Sequence, residues 1–220
     1  MNPRYSLGDL AADVERLVRE HPDEDERVRA ITPCMERWLA DPDLSPEQRR
    51  PCEGRACGHL LYTASDGSFF IISVVFPQGT SSGVHYHGAW GVIGVLSGVD
   101  EETQYVRPEG PAAPSAGETC ALQQTAKHRY PPGTITYLLP PDQAYHRVRA
   151  VGEETGVSLH ILGGTAETHP HLLCHPGSRK LVDFPMASLL DQVPPAVTGY
   201  SVRYPLTEDG SSRLPPPPAP

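Results

Sequence analysis

The stretch Gly79-Thr80-Ser81-Ser82-Gly83-Val84-His85-Tyr86-His87-Gly88-Ala89-Trp90-Gly91-Val92-Ile93-Gly94-Val95-Leu96-Ser97-Gly98 decides how this chain reads. In an extended strand, residues two apart point to one face. His85 and His87 then project side by side, about 7 Å apart along the strand. Neutral imidazole is the commonest metal ligand among side chains. The same alternation puts Ala89, Gly91, Ile93 and Val95 on the histidines' face. Ala89 and Gly91 are small, so open space is expected beside an ion. Val84, Tyr86, Trp90, Val92 and Leu96 make the opposite face, which reads as a packing surface.

On either side of this stretch the pattern is that of short strands. Residues 59–62 read as a strand, and Ser65-Asp66-Gly67-Ser68 as a turn. The run from Phe69 to Phe76 is β-branched and aromatic throughout, which predicts a strand buried on both faces. Further strands are expected at 102–107, 118–124, 134–139, 145–151 and 156–162, with a Pro/Ala/Gly loop over 108–117. Many short strands separated by Gly/Pro turns imply an all-β sandwich or closed barrel. The 25 prolines and 20 glycines of the 220 residues agree with that.

The first fifty residues differ. Residues 6–20 carry Leu7, Leu10, Val14, Leu17 and Val18 at helical spacing, with Ser6 placed to cap and Asp9 three residues on. A second helix is expected over 25–39, kinked or split at Pro33. Ser45-Pro46-Glu47-Gln48 reads as a short helix start. The chain thus divides into a helical segment over 1–57, a barrel over 58–205 with a C-terminal extension, and a proline-rich tail over 206–220 expected to be disordered.

Composition narrows the partners. A formal charge of -9 argues against a nucleic-acid or anionic-membrane surface. No apolar run reaches the ~18 residues a membrane span needs, and the first residues hold no apolar signal core. Cys34, Cys52, Cys57, Cys120 and Cys174 are an odd, scattered set, read as reduced in a cytoplasmic protein. A monomer or homodimer acting on a small molecule is the default.

A useful metal site needs a third ligand. His146 follows the Pro140-Pro141 turn and opens a strand about sixty residues after the first pair. That separation lets a later strand fold back against the first.

These residues meet a known pattern. Gly79-x5-His85-x-His87-x3-Gly91-x6-Gly98 has the spacing of the first cupin motif. The run from Gly133 through Pro140-Pro141 to His146 resembles a looser second motif. Most cupins place a glutamate where this chain has Gly91. That change leaves three histidines, and with the text around Trp90-Gly91 it resembles the thiol dioxygenases of the cupin superfamily. These are the cysteine dioxygenase and 3-mercaptopropionate dioxygenase enzymes. The resemblance covers roughly residues 59–163. It implies a double-stranded β-helix barrel and a mononuclear Fe(II) site at His85, His87 and His146. It further implies addition of both atoms of O2 to a substrate thiolate, giving a sulfinate. Imidazole suits Ni(II) as well.

The family also has a Ser-x-His-x-Tyr run near the bound oxygen and substrate. Here Ser158 and His160 match it, while Leu162 occupies the tyrosine slot and cannot donate a hydrogen bond. The arginine that fixes a substrate carboxylate in the family is missing too. His59 is the nearest polar residue at one of its two family positions, and His171 lies near the other. Arg55, Arg147 and Arg149 are further candidate anchors. The substrate-facing set is therefore read as His59, Gly91, Leu162 and His171, with Ser158 and His160 as catalytic residues. The cluster around His169, His171, Cys174 and His175 suits zinc by ligand type, but its spacing fits no zinc module, so it reads as a loop over the barrel mouth.

Other readings stay open. A specialised-metabolism cupin oxygenase would take cysteine to another oxidised sulfur product such as a sulfonamide. A non-enzymatic cupin would bind metal without turnover. An isomerase or hydrolase would use His160 as a general base.

Overall fold

The computed structural model describes residues 4–52, 55–108, 110, 113–141 and 144–190. The proline-rich tail and the end of the barrel segment, from residue 191 on, lie outside the described residues. Two helices come first: α1 (Leu7–Glu20) and α2 (Glu24–Leu39). Ser6 caps α1 through a reciprocal pair of hydrogen bonds with Asp9, an arrangement contributing about 1 kcal/mol. The second helix runs continuously through Pro33 instead of splitting there. A short 3-10 turn at Glu47–Arg49 leads into the strands.

Eleven strands follow in the described residues: β1 (Cys57–Thr63), β2 (Phe69–Phe76), β3 (His85–His87), β4 (Gly91–Ser97), β5 (Val99–Val106), β6 (Gln123–Tyr130), β7 (Ile135–Leu138), β8 (Tyr145–Val151), β9 (Gly156–Gly163), β10 (His171–His175) and β11 (Lys180–Asp183). They build two antiparallel sheets. One has the order β1-β2-β9-β4-β7, the other β11-β10-β3-β8-β5-β6. This is a double-stranded β-helix of two facing antiparallel sheets, the architecture expected from the sequence.

The run at 69–76 shows why the sheets face each other. Phe70, Ile72, Val74 and Phe76 join Ile93, Leu138 and Leu162 in a core that reaches Val148 and Ala150 of the other sheet. The alternate residues Phe69 and Ile71 turn outward, with Val92, Leu159 and Ile161, against Leu10, Val14, Ile31, Met35 and Trp38 of the helices. Both faces of β2 are buried, so its sequence is apolar throughout. The helices can approach closely because β4 has a glycine under them. A Cβ on Gly94 would lie 2.8 Å from Met35 Sδ and 2.9 Å from Leu39 Cδ1.

Three expectations need correction. The stretch at 79–98 is two strands in different sheets, since β3 pairs with β8 and β10 while β4 pairs with β7 and β9. Residues 171–175, expected as loop, form β10, which pairs with β11 in a hairpin. Finally, the cysteines are not all reduced. Cys52 is bonded to Cys57 and Cys120 to Cys174, with Cα atoms 5.9 and 5.8 Å apart, and Cys34 is free. The fold brings Cys120 and Cys174 together across a sequence separation of 54, which spacing alone does not reveal. The scattered cysteines therefore give no argument for a reducing compartment. No helix among the described residues is long and apolar enough to cross a membrane.

Candidate metal centre

Three adjacent strands of the six-stranded sheet carry the site. His85 and His87 stand on β3, and His146, at the start of β8, is the register partner of His85. In an antiparallel pair, directly opposed residues face the same side. The three imidazoles therefore meet inside the barrel. Ring centroids lie 4.8 Å apart for His85–His87, 4.4 Å for His85–His146 and 5.2 Å for His87–His146. One nitrogen from each ring lies within 4.8 Å of the others. All three residues are buried.

What lies behind each ring fixes its tautomer. His85 Nδ1–H donates to the Gly83 carbonyl at 3.1 Å. His146 Nδ1–H donates to Glu102 Oε1 at 2.5 Å. His87 Nδ1 lies 2.8 Å from His169 Nε2, and His169 Nδ1 lies 2.7 Å from the Gly163 carbonyl. A carbonyl can only accept, so His169 is protonated at Nδ1. Its bare Nε2 then accepts from His87 Nδ1–H. Each of the three site histidines is left with an Nε2 lone pair to offer. His146 Nε2 is buried with no hydrogen-bond partner. Such an orphaned buried atom is costly, and it fits a metal ligand. Outer hydrogen bonds of this kind are the usual way a protein orients ligating histidines.

The electrostatics agree. Burial, reinforced by neighbouring imidazoles, holds His85 and His87 well below the ordinary histidine range. Both rings are neutral near pH 7, as ligation requires. Burial pushes the Glu102 carboxyl up. The hydrogen bonds from His146, Tyr130 and Gln104 outweigh that and leave it below its usual range. Glu102 is thus an anion behind His146. The sequence reading missed it because nothing local marks a carboxylate on β5 as facing β8.

A cavity of about 50 Å³ opens beside the histidines. His85, His87, His146, His160 and His171 border it, together with the Ser81 and Ser82 hydroxyl-bearing residues. Its remaining wall is apolar, from Val74 and Phe76 to Phe184, Met186 and Leu189. The last of these belong to β11's exit and the 3-10 turn Met186–Leu189, which take the covering role expected of 169–175. Among the described residues, no arginine or lysine borders the cavity. Arg147 instead lines a separate cavity of about 320 Å³ with Arg179 and the Cys120–Cys174 bond.

Ser158 and His160 lie together on β9, with Ser158 Oγ 2.9 Å from His160 Nε2. His160 Nδ1 is buried without a partner. Burial, with His146 and His169 nearby, lowers its pKa to about 3. This ring also borders a second void of about 20 Å³, shared with Asp100, Glu102, Tyr130 and Thr136.

Three of the four predicted substrate-facing residues do not border the cavity. His59 turns its Nε2 to the Arg50 carbonyl at 2.9 Å. Gly91 and Leu162 are register partners, and Leu162 fills the space that the glycine leaves. A Cβ on Gly91 would meet Leu162 Cδ2 at 2.7 Å and Leu138 Cδ1 at 3.0 Å. The open flank expected beside Gly91 is therefore occupied by leucine side chains. The open volume lies under Phe184 and Met186 instead. His171 does border it, but from a strand and not from a loop. His175, at the far end of that strand, lines the cavity with Arg147, so the expected His/Cys cluster divides between two places.

No family model matches the chain. Among solved structures, it is similar to an uncharacterized conserved protein with a double-stranded beta-helix domain from Klebsiella pneumoniae. That match has 14% identity and a TM-score of 0.44, over 61% of this chain and 93% of the other. It is also similar to an RmlC-like cupin protein from Desulfovibrio desulfuricans, at 24% identity and a TM-score of 0.37, over 54% and 92%. A third likeness is to oxalate decarboxylase from Lactobacillus farciminis, at 11% identity and a TM-score of 0.40, over 57% of this chain and 33% of that one. All three likenesses are distant, and the chemistry of the site rests on this chain's own residues.

Proposed function

We propose that the protein is a metal-dependent, O2-dependent oxygenase that oxidises the thiol of a small substrate, with a sulfinate as the default product. The observation that carries this reading is the convergence of three bare imidazole nitrogens, His146 Nε2 among them, beside a largely apolar cavity. His85, His87 and His146 would hold Fe(II), or Ni(II), which suits the same ligands. Such an ion supplies O2 activation and a positive charge that favours a thiolate over a thiol. Three neutral imidazoles bring no negative charge of their own, so an anionic sulfur is the complementary partner.

The chain's own residues do the rest. The apolar wall of Val74, Phe76, Phe184 and Met186 excludes bulk water and takes a short carbon chain. A volume near 50 Å³ holds on the order of four waters at ~10–15 Å³ each, so the ligand is small. Ser158 holds the ring of His160 at Nε2 and leaves Nδ1 for a hydrogen bond with the substrate. The net change is RSH + O2 to RSO2H. Both oxygen atoms enter the sulfur group, and O2 takes its four electrons from sulfur, so no further reductant is needed.

The test is O2 uptake by the Fe(II)-loaded protein with cysteamine, cysteine and 3-mercaptopropionate, with products weighed by mass spectrometry. Uptake with at least one thiol and a mass gain of two oxygens is expected. With no arginine or lysine in the cavity's described lining, the thiols bearing a carboxylate should be the poorer substrates. Stable metal binding with no uptake for any small thiol overturns the reading in favour of a non-enzymatic cupin.

A further inference from the structure

We infer that His171 is a fourth imidazole ligand to the same ion. The inference rests on the metal reading above and deepens it. β10 lies on the free side of β3, and His171 is the register partner of His87. Its side chain therefore shares the face of His85 and His87. Its ring stands 4.9 Å from that of His85 and 4.8 Å from that of His87. The second of these equals the separation of His85 and His87 themselves. His171 Nδ1–H donates to the Phe184 carbonyl at 2.6 Å. Its Nε2 is therefore a lone pair, and the residue borders the same cavity. The ligand atoms of His85, His87 and His146 already lie within 4.8 Å of one another, and a turn of the His171 side chain toward them completes the set.

The position explains the glycine at 91. A carboxylate arriving from β4 would have to displace Leu162 and Leu138, which already occupy that flank. The opposite neighbour of β3 supplies an imidazole instead. Adjacent strands β10, β3 and β8 thus present His171 opposite His87 and His146 opposite His85, in two neighbouring rows on one face of the sheet.

A fourth protein nitrogen has a consequence for the substrate class. A six-coordinate ion with four imidazoles keeps two positions, one for sulfur and one for O2. No position remains for an amine or carboxylate of the same substrate. The ligand class is then a thiol bound through sulfur alone, in keeping with a cavity whose described lining has no arginine or lysine.

The experiment loads Cu(II) alone into the full chain and counts coupled nitrogens by pulsed electron paramagnetic resonance. Affinity is measured in parallel by competition with a chelator. Four imidazole nitrogens are expected in the wild type and three in His171→Gln. The affinity of that variant should fall by at least the 10–100-fold seen when an outer partner of a ligand is lost. His175→Gln, at the far end of the same strand, should keep four nitrogens and wild-type affinity. Three nitrogens in the wild type, or an unchanged count and affinity in His171→Gln, overturn the assignment while leaving the three-histidine site intact. The wild-type count decides the question even if the variant does not fold. A wild type that binds no Cu(II) overturns the metal reading itself and this inference with it.

Discussion

The two sheets of the barrel are built on opposite principles. In the five-stranded sheet, β2 and β9 are buried along their whole length, one face against the barrel interior and the other largely against the helices. It is a scaffold that adds Ser158, His160 and Thr136 as polar residues near the site. The six-stranded sheet carries the site's clustered imidazoles, on β3, β8 and β10, and the carboxylates Asp100 and Glu102 on β5. The sheet packed on the helices is thus not the one that carries the candidate ligands. One sheet spends its sequence on packing and so positions the other.

Acid should separate the two most strongly. His160, His169 and His171 titrate near 3, 4 and 3 in the folded chain, chiefly because burial penalises the charged ring. Unfolded histidine titrates near 6.5. Between about pH 6.5 and 4 the unfolded chain binds more protons, so stability is present above this window and lost as pH falls through it. Each ring contributes about 1.4 kcal/mol per pH unit. Asp100 runs the other way. Burial beside Glu102 raises its pKa to about 7, so its contribution is full below the unfolded value and lost as pH rises toward 7. The net expectation for metal-free protein is a loss on the order of 3 kcal/mol per pH unit below 6.5. Urea titrations at several pH values measure it, and a flat profile breaks the picture of a buried neutral imidazole cluster.

Next in size is an effect confined to the six-stranded sheet. Glu102→Gln keeps the shape behind His146 but removes the charge that orients its ring. Metal affinity should fall 10–100-fold, with the melting temperature of the metal-free protein changed much less. Chelator competition reads the first and thermal unfolding the second.

The smallest effect belongs to the scaffold. Gly91→Glu puts a carboxylate in this slot, yet its Cβ meets Leu162 and Leu138. Overpacking of this kind costs about 1–3 kcal/mol. Pairing it with Leu162→Ala should recover part of that loss, which denaturant midpoints would show. No recovery would mean that the leucine is not what fills the flank.

Much of this division was legible in the sequence. The unbroken apolar run at 69–76 marked the doubly buried strand, and alternation through 84–96 sorted inward from outward residues even though the chain changes sheet between His87 and Gly91. Trp90 and Val92 pack toward the helices as that alternation requires. The spacing of His85, His87 and His146 brought out three of the clustered imidazoles. What stayed hidden depends on pairing between distant strands. Glu102 faces His146 across a ladder whose register no local pattern encodes. His171 looked like part of an irregular loop because His169-Pro170-His171 holds a proline, although that proline precedes the strand. The space at Gly91 was misjudged since the residue that fills it lies 71 positions later.

The bond between Cys120 and Cys174 lends β10 a significance beyond cross-linking. Cys174 sits three residues after His171 on that strand. Sliding the strand by a single residue would turn Leu172 inward and carry the imidazole to the outer surface. The sulfur bridge anchors the strand's far end to a segment before β6, so such a slip cannot occur while the bridge is intact. Where His171 points is thereby secured by covalent chemistry on the outside of the barrel.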